Sequence, residues 1–473
     1  MAALTQARSF AVIRPILTLW VCGLIAACGG GKDSTPASTP VAASLVSLSI
    51  SPASVTLQMG TSQQFTALGT YSDGSTATIS KDLLWSTGGS VASIVQTSGL
   101  ATGKAIGNET ITATVGKINN SAKMQVLAPY VGAATGGSHT VIMQANGSLT
   151  ATGLTHSGQL GDGTTIDRAA PVAIGIGAVW STISAGEFHS IGLRSDASLW
   201  TWGFNQNGQL GDASFVDKAT PSKIGSATWL SVAAGKSHSL AVKKDGTLWA
   251  WGRNFNGQLG DGTVIDRVEP VQIGSVKTWT TVAAGATHSL ARRSDGSIWA
   301  WGNNSNGQVG VGPTINISTP TQVGSSTWVA ITAGINHSLG IRSDGALFAW
   351  GANESGQLGV GATSDRLNPS QIGTASNWII VSAGGKHSLA IKTDGSLWSW
   401  GNNSDGQLGL GTLDNQLSPQ LVGDQKNWKT ISAGQFHNFA TRTDGTLWTW
   451  GRNIEGQLGD GKRLSLKVPT AIP

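Results

Sequence analysis

The feature of this sequence that most constrains its fold is a unit of about fifty residues that occurs seven times in succession. Each unit has one histidine after a Gly-x-x element, and neighbouring histidines are 49 or 50 residues apart. The seven histidines are His139, His189, His238, His288, His337, His387 and His437. A period of this length indicates a repeat architecture in which one small supersecondary unit is copied and packed against its neighbours.

Each repeat unit contains four strand-like segments with turn signals between them. In the third unit, which starts at Trp229, the segments are WLSVAA, HSLAV, TLWAWG and PVQIG. An Asp-Gly pair separates the second and third segments and favours a tight hairpin, because both residues accept positive φ. The second unit has the weaker pair Asp196-Ala197. Four-stranded sheets repeated around an axis predict a seven-bladed β-propeller over residues 129–473.

Paired tryptophans in the third segment predict how neighbouring blades pack. Trp249 and Trp251 are two residues apart, so both side chains project from the same face of the strand. We expect such pairs to fill the gaps between blades. The first unit has Leu149 and Ala151 instead and is expected to pack least well. We also expect the last strand, at residues 469–473, to complete a sheet that the first unit begins.

Residues 44–128 precede the repeats and alternate apolar and polar side chains over several short runs. Val46, Leu48 and Ile50 are spaced to share one face of a strand, and Trp85 is the natural centre of a core. Short strands at this spacing are typical of a β-sandwich. The stretch SVASIVQTSGLATGKAIGNETITATV resembles bacterial immunoglobulin-like (Ig-like) domains of the intimin/invasin type, which act as spacers or adhesion modules. The predicted fold class is therefore all-β, an Ig-like β-sandwich followed by a propeller.

The N-terminus has the pattern of an export signal. Arg8 and Arg14 precede an apolar run at residues 16–27, which is too short to span a bilayer. The run ends in LIAAC at Cys28 and resembles a bacterial lipoprotein signal. That resemblance implies cleavage of residues 1–27 and lipidation of Cys28. An ordinary secretory signal followed by an incidental cysteine is the alternative.

Residues 28–43 are rich in Gly, Ser, Thr and Pro, a composition that predicts a flexible linker. Gly29 follows the cysteine, and the resemblance to Gram-negative sorting signals favours the outer membrane, on its periplasmic side or at the cell surface. The lipid is then the expected means of membrane attachment. We expect no other membrane contact.

The repeats themselves resemble the regulator-of-chromosome-condensation repeat family of seven-bladed propellers. The matching motifs are AGxxHS, DGxLWxWG, NxxGQLG and PxxIG, and they recur across residues 130–473. The founding member of that family is a guanine-nucleotide exchange factor whose activity depends on a wedge-like insertion. The constant spacing of the histidines leaves no room for such an insertion, so exchange activity is not expected in this chain.

No residue pattern in the chain predicts catalysis. The seven repeated histidines lie one to a blade, so they cannot converge on one metal ion, and we interpret them as structural hydrogen-bonding residues. His156, the eighth, aligns with Gln206 in a loop and is interpreted as solvated. There is neither a Gly-x-Ser-x-Gly nor a His-Glu-x-x-His motif. We therefore expect no metal, no cofactor and no enzymatic activity; a hydrolase or lyase that acts on an envelope polymer is the alternative.

Strand direction predicts that the Gly-x-x-His hairpins and the NxxGQLG loops emerge on one face of the propeller. Large apolar side chains at the variable positions of that face fall in units 2, 3 and 7, with Ile335 of unit 5 as the exception. Those of units 2, 3 and 7 are Phe188, Phe204, Phe255, Phe436 and Ile454, which we call the aromatic arc. Partly exposed aromatic side chains anchor many protein interfaces, so the arc is the predicted partner-binding site. Local packing over the blade tops is the alternative.

These observations predict an envelope-anchored scaffold that binds an unidentified protein, or a polysaccharide, through one propeller face. A net charge of +5 without a basic stripe argues against nucleic acid as a partner. A structural surface or adhesion protein is the other alternative that the sequence leaves open.

Overall fold

The computed structural model describes residues 42–472, and the regular secondary structure in this range consists of β-strands numbered β1 to β38. The predicted signal peptide, Cys28 and most of the predicted linker lie outside the described residues and stay predictions. Within residues 42–472, no helix forms that is long and apolar enough to cross a membrane.

The first ten strands form the Ig-like domain. They are β1 (Leu45–Ser51), β2 (Ser54–Gln58), β3 (Ser62–Gln64), β4 (Thr66–Tyr71), β5 (Thr76–Ile79), β6 (Leu84–Thr87), β7 (Ala92–Ile94), β8 (Leu100–Gly103), β9 (Gly107–Val115) and β10 (Ile118–Leu127). Their sheets have the orders β1-β4-β5, β2-β10-β9-β6 and β3-β8-β7. The core forms around Trp85, which is 2% exposed and whose ring centroid lies 6.3 Å from that of Phe65.

The first strand of this domain departs from the predicted alternation. Leu48 and Ile50 are buried as expected, but Val46 is 58% exposed. The prediction that the three side chains share one face was wrong for Val46. The pairing of β1 with β4 shifts register between Leu45 and Ser47, and such an irregularity interrupts the two-residue alternation of side chains.

The remaining strands form seven four-stranded antiparallel sheets, the predicted blades, each in the order of the sequence. Blade 1 contains β11 (Tyr130–Thr135), β12 (His139–Gln144), β13 (Leu149–Gly153) and β14 (Arg168–Ile174). Blade 2 contains β15 (Trp180–Ala185), β16 (His189–Arg194), β17 (Leu199–Gly203) and β18 (Lys218–Lys223). Blade 3 contains β19 (Trp229–Ala234), β20 (His238–Lys243), β21 (Leu248–Gly252) and β22 (Arg267–Gln272).

Blades 4 to 7 repeat the same plan. Blade 4 contains β23 (Trp279–Ala284), β24 (His288–Arg293), β25 (Ile298–Gly302) and β26 (Ile317–Gln322). Blade 5 contains β27 (Trp328–Ala333), β28 (His337–Arg342), β29 (Leu347–Gly351) and β30 (Arg366–Gln371). Blade 6 contains β31 (Trp378–Ala383), β32 (His387–Lys392), β33 (Leu397–Gly401) and β34 (Gln416–Leu421). Blade 7 contains β35 (Trp428–Ala433), β36 (His437–Arg442), β37 (Leu447–Gly451) and β38 (Leu466–Ile472).

An apolar cluster fills each seam between neighbouring blades. In the seam between blades 2 and 3, Trp229 and Trp251 of blade 3 pack against Ile191 and Leu199 of blade 2. Trp251 is fully buried, whereas Trp249 packs at the edge of the same cluster and is half-buried. Burying a side chain of this size contributes about 2–3 kcal/mol, so the indoles are the main apolar contribution to the six seams that contain them.

The seam between blades 7 and 1 contains no indole. Tyr130 stands where the other blades begin with tryptophan, and Thr152 stands opposite Thr140, as Trp202 stands opposite Ser190 in blade 2. The residues equivalent to the tryptophan pair are therefore Thr150 and Thr152. Assigning Leu149 and Ala151 to these positions was wrong by one residue.

Ring closure uses no exchanged strand. The last strand, β38, pairs with β37 of its own blade, so the prediction that it completes a sheet of the first unit was wrong. Each repeat already contains all four strands of its sheet, and neither end of the chain has to supply one. Contacts between blades close the ring instead: Tyr130 N donates to Gly445 O at 3.0 Å, and Thr140 Oγ1 lies 2.8 Å from His437 Nε2.

The Asp196-Ala197 turn of blade 2 has the same form as the Asp-Gly turns of blades 3 to 7. Ala197 has a φ of 64°, and Gly246, at the equivalent place in blade 3, has a φ of 82°. A residue with a side chain enters this left-handed region at a cost of about 1–2 kcal/mol. The strand pairing on both sides of the turn therefore imposes its geometry even where glycine is absent.

Candidate functional site

The two ends of the blades form two different faces. Phe204 N donates to Phe188 O at 2.9 Å, which places the NxxGQLG loop of blade 2 beside its Gly-x-x-His hairpin. We call this side, formed by those hairpins and loops, the loop face. On the opposite side Trp279 N donates to Gly246 O at 3.1 Å, so the Asp-Gly turn of one blade touches the start of the next. We call that side the turn face.

The seven repeated histidines form a ring of hydrogen bonds beneath the loop face. Each is fully buried, and its Nε2 lies between 2.7 and 3.1 Å from a side-chain oxygen of the next blade. His189, for example, lies 3.0 Å from Ser239 Oγ. The partner oxygen belongs to Asn438 in blade 7 and to Thr140 in blade 1. These contacts are structural in kind, and they join successive blades.

A second hydrogen bond, made by each histidine's partner side chain, shows that Nε2 of the imidazole carries a proton. Ser239 Oγ donates to the backbone oxygen of Gln209, in the NxxGQLG loop of the preceding blade, at 2.9 Å. Because the hydroxyl proton is used there, His189 Nε2 is the donor to Ser239. Trp251 Nε1 donates to the same carbonyl at 2.9 Å. The loop is thus bound to the next blade and held in one position, a role for its glutamine that the repeat motif alone did not indicate.

Burial holds the pKa of every ring histidine well below its usual value of 6.5, because desolvation disfavours the charged imidazole. The pKa is lowered to about 3 for His139, His189, His288, His337 and His437, and to about 4 for His238 and His387. The rings are therefore neutral at physiological pH and out of reach of any substrate at the surface.

Glycines at the hairpins close the propeller around a narrow central cavity. A Cβ at Gly235 would lie 2.6 Å from Gly285 O of the next blade and 2.4 Å from the His238 ring, so no larger residue fits. The cavity has a volume of about 160 Å³, and Glu187 and Lys236 form a 2.9 Å salt bridge at its edge. Small-molecule sites usually measure about 300–1,000 Å³, so this cavity is small for such a ligand.

The aromatic arc divides into exposed and packed members. Phe255 is 72% exposed and Ile454 is 53% exposed. Phe188, Phe204 and Phe436 are half-buried, and the rings of Phe188 and Phe204 meet edge to face at 6.3 Å. All five lie on the loop face, but only Phe255 and Ile454 present most of their apolar surface to solvent.

The packed members of the arc contact polar neighbours. The ring of Phe188 meets that of His156 at 5.4 Å, and the Arg452 guanidinium lies 5.4 Å from the centroid of Phe436. His156 is exposed, as the sequence predicted, yet it also supports the arc through this contact. The arc is therefore an apolar surface with polar edges, which is the general composition of protein interfaces.

A further set of exposed apolar side chains, which the sequence analysis did not identify, lies in the segments between the NxxGQLG loops and the fourth strands. We call it the outer rim set, and its members are 46 to 71% exposed. They are Ile166, Phe215, Val216, Val264, Ile265, Ile315, Leu413 and Leu464. Five of the eight belong to blades 1 to 3, next to the arc. The available signal was the occurrence of apolar residues in turn-rich segments that no core requires.

The loop face of blades 5 and 6 is polar instead. Lys386 and Glu354 form a salt bridge of 2.6 Å there, and Asn306 Nδ2 of blade 4 donates to Asp365 Oδ2 of blade 5 at 2.8 Å. These groups satisfy one another. The loop face is therefore asymmetric, with its exposed apolar surface concentrated in blades 7, 1, 2 and 3.

The acidic residues of the repeats stabilise turns. Asp245 Oδ1 accepts hydrogen bonds from Thr247 N at 3.0 Å and from Thr247 Oγ1 at 2.6 Å. The turns at Asp295, Asp394 and Asp444 use the same two contacts, whereas Asp344 Oδ1 accepts only the backbone hydrogen bond, from Ala346 N. Within residues 42–472, no three His, Cys, Asp or Glu side chains lie close enough together to hold a metal ion. The chemistry that the described loop face offers is apolar contact, hydrogen bonding and ion pairing.

Family models match both parts of the chain. A model described as RCC1-like domain matches residues 87–388, and models of the regulator of chromosome condensation (RCC1) repeat match residues 394–441 and 444–473. A bacterial Ig-like domain (group 2) model matches residues 45–126. The RCC1-like domain model begins at residue 87, inside the Ig-like domain, whereas the strands place the start of the propeller at Tyr130.

Solved structures share the propeller fold. Human WBSCR16 is 22% identical, with a TM-score of 0.62, and the match covers 69% of this chain and 94% of that one. Prp20p of Saccharomyces cerevisiae, the yeast RCC1, is 23% identical with a TM-score of 0.63 and coverages of 73% and 86%. At this identity the likeness shows the fold alone.

One curated protein matches a short stretch of the chain, whereas a family model matches more than half of it. Ice-binding protein 1 of Shewanella frigidimarina is 40% identical over 103 residues, which is 22% of this chain but only 12% of that protein. The chain thus spans about an eighth of that relative. The RCC1-like domain model, in contrast, matches more than half of the chain. Together with the seven four-stranded blades, this match shows that the chain belongs to the RCC1-like domain family.

Proposed function

We propose that this protein is a noncovalent binding scaffold that recognises a protein partner through the loop face of its propeller. The contact surface is the aromatic arc together with the outer rim set of blades 7, 1, 2 and 3. The observation on which this proposal rests is the 72% and 53% exposure of Phe255 and Ile454 on loops that hydrogen bonds hold in place. Rigid apolar anchors of this kind lose little entropy when they are buried in an interface.

The chemistry of the exposed side chains favours a protein over a polysaccharide. Ile166, Val264 and Ile265 are branched aliphatics that are 61 to 63% exposed, and such groups match the apolar core of a protein interface. Sugars stack mainly on flat aromatic faces. The crystallised yeast relative Prp20p is described with binding properties to Gsp1p and histones, so a propeller of this fold has protein partners in at least one case.

We further propose that the scaffold is tethered in the cell envelope. The support is the LIAAC sequence at Cys28, the linker composition that follows it and the bacterial Ig-like domain between linker and propeller. In this arrangement the Ig-like domain is a spacer. A label on Cys28 from a radioactive fatty acid, absent after Cys28→Ser, tests the tether independently of partner binding.

A paired substitution tests the binding surface. We expect Phe255→Ala/Ile454→Ala to reduce partner capture from an envelope extract of the native cells by at least about tenfold, because both side chains are hot-spot candidates. The unfolding midpoint should change by less than about 1 °C, since neither side chain is part of the core. The measurement is quantitative affinity enrichment on the immobilised full chain.

A matched control removes exposed aliphatic surface from the fourth strands. Leu417→Ala/Val468→Ala deletes two side chains that are 38% and 50% exposed and should leave capture unchanged. Equal loss in both variants, or capture that survives Phe255→Ala/Ile454→Ala, contradicts the proposal. Capture of a glycan in place of a protein would favour the polysaccharide alternative, and turnover of an envelope polymer would favour an enzyme.

A further inference from the structure

The turn face is basic, whereas the rest of the propeller is slightly acidic. Its turns and strand connections have twelve basic and seven acidic side chains, a net charge of +5. The basic ones are Arg194, Lys223, Lys243, Lys244, Lys277, Arg292, Arg293, Arg342, Lys392, Lys426, Lys429 and Arg442, and the acidic ones are Asp196, Asp245, Asp295, Asp344, Asp394, Asp424 and Asp444. The remainder of residues 129–473 has eleven basic and fourteen acidic side chains, a net charge of −3.

Aromatic rings hold six of these cations in place, one in each of blades 2 to 7. The Arg194 guanidinium lies 3.4 Å from the centroid of Trp200, and Lys243 Nζ lies 3.4 Å from that of Trp249. Stacking of this kind orders a long side chain before any ligand arrives. The repeated cations thus have a structural partner in each of blades 2 to 7 and give this part of the face a positive background.

Further cations depart from the repeat and cluster in blades 2 to 4. The seven blades provide an internal baseline, because residues that the fold requires recur. Lys244 replaces Ser, Thr or Ala, and Arg292 replaces an apolar residue or Thr. Lys223, in the fourth strand of blade 2, occupies a position where blades 3 to 5 have Gln. Lys277 lies in the connection from blade 3 to blade 4. Blades 2 to 4 therefore have seven cations against three aspartates on this face. One of the seven, Arg292, is half-buried and also donates to Trp328 O of the next blade at 3.4 Å.

An exposed aliphatic loop lies beside this basic sector. Ile176, between Gly175 and Gly177 in the connection from blade 1 to blade 2, is 91% exposed, and Val179 is 51% exposed. The residue after the equivalent glycine is Ser, Thr or Asp in blades 2 to 6. These exposures hold with the Ig-like domain in place, so that domain does not cover the loop. Ile176 is thus a second departure from the repeat, apolar and next to the cations.

The geometry points to a membrane-docking surface, formed by Ile176, Val179, Lys223, Lys244, Lys277 and Arg292, that takes an anionic lipid bilayer. We call it the turn-face patch. Cations attract an anionic surface, and an exposed aliphatic side chain gains by entering the headgroup boundary. A soluble polyanion would use the charges but leave Ile176 and Val179 in water, so the combination favours the bilayer. Docking in this way directs the loop face away from the membrane.

This contact is a second membrane attachment beside the lipid predicted at Cys28, and it departs from the expectation that the lipid is the sole one. Its test excludes that lipid. All proteins span residues 28–473, because the apolar run at residues 16–27 would itself insert into vesicles, and all have Cys28→Ser. Binding to vesicles of phosphatidylglycerol and phosphatidylcholine is compared with binding to phosphatidylcholine alone by flotation at physiological salt. The first test variant is Lys223→Gln/Lys244→Ser/Lys277→Ser, which replaces three lysines with neutral residues, two of them taken from the equivalent positions of other blades. The second is Ile176→Ser, because blades 2 to 4 have Ser at the equivalent position.

We expect the protein that has no change other than Cys28→Ser to bind vesicles in a way that depends on phosphatidylglycerol and weakens as the salt concentration rises. The triple variant should bind on the order of 100-fold more weakly, and Ile176→Ser roughly tenfold more weakly. The control Arg253→Gln/Lys462→Gln/Lys467→Gln removes three exposed charges elsewhere and should change binding by less than about twofold.

Three results would overturn the inference. One is equal binding to both kinds of vesicle, and another is an equal effect of the control triple. The third is full retention of binding in Ile176→Ser together with equally tight binding of dextran sulfate, which would identify a site for soluble polyanions. Unfolding midpoints of all variants establish that each protein is folded. Partner capture through the loop face is not part of this assay, so either proposal can fail without the other.

Discussion

Lowering the pH from 7.5 to 5.0 is expected to reduce the unfolding midpoint of the propeller by on the order of 10 °C. The cause is the ring of seven buried histidines, whose pKa values of about 3 to 4 lie below the unfolded value of about 6.5. Below pH 6.5 the unfolded chain binds protons that the folded chain excludes. The contribution of the seven buried, neutral histidines to the free energy of unfolding is thus complete above pH 6.5 and declines as the pH falls toward 4.

The size of this effect follows from linkage. At pH 5 each histidine lowers the free energy of unfolding by roughly 2 kcal/mol relative to neutral pH, and the seven together lower it by on the order of 10 kcal/mol. Scanning calorimetry across this range measures it, above the pH at which carboxylates titrate. His238→Gln should reduce the slope by about one proton. A midpoint that stays constant between pH 7.5 and 5.0 would refute the assignment.

Replacing one seam tryptophan with alanine is expected to destabilise the whole ring. Trp301→Ala removes a fully buried indole from the seam between blades 3 and 4, together with its 2.8 Å hydrogen bond to Gln258 O. The expected loss is about 3–5 kcal/mol, measured by chemical denaturation. Trp299→Ala is the matched control, because its side chain is half-buried at the seam edge and stacks on Arg293. Equal losses in the two variants would contradict the packing described here.

The repeat made most of the fold predictable, because every blade repeats the same evidence. Seven histidines at nearly constant spacing defined seven sheets, and all seven form. The errors arose where tertiary contacts decide. Closure between Tyr130 and Gly445 depends on the two ends of the ring meeting, and the irregularity at Val46 depends on how β1 pairs with β4. Neither is encoded in local alternation.

The candidate site was predictable in position but not in exposure. Strand direction placed the whole aromatic arc on one face, yet only the folded structure separates the exposed Phe255 from the packed Phe188. The outer rim set was missed because its residues lie outside the repeat motifs. The use of Gln209 O as an acceptor for both Ser239 and Trp251 was missed because a backbone group has no signal in the sequence.

Hydrogen–deuterium exchange on the full chain, with and without its captured partner, tests the central claim most directly. If the loop face is the binding surface of a rigid ring, protection should increase in the segments around Phe188, Phe255 and Ile454, and the turn-face segments should stay unchanged. Added protection at the Asp-Gly turns with none at the loop face, or protection spread evenly over all seven blades, would contradict it.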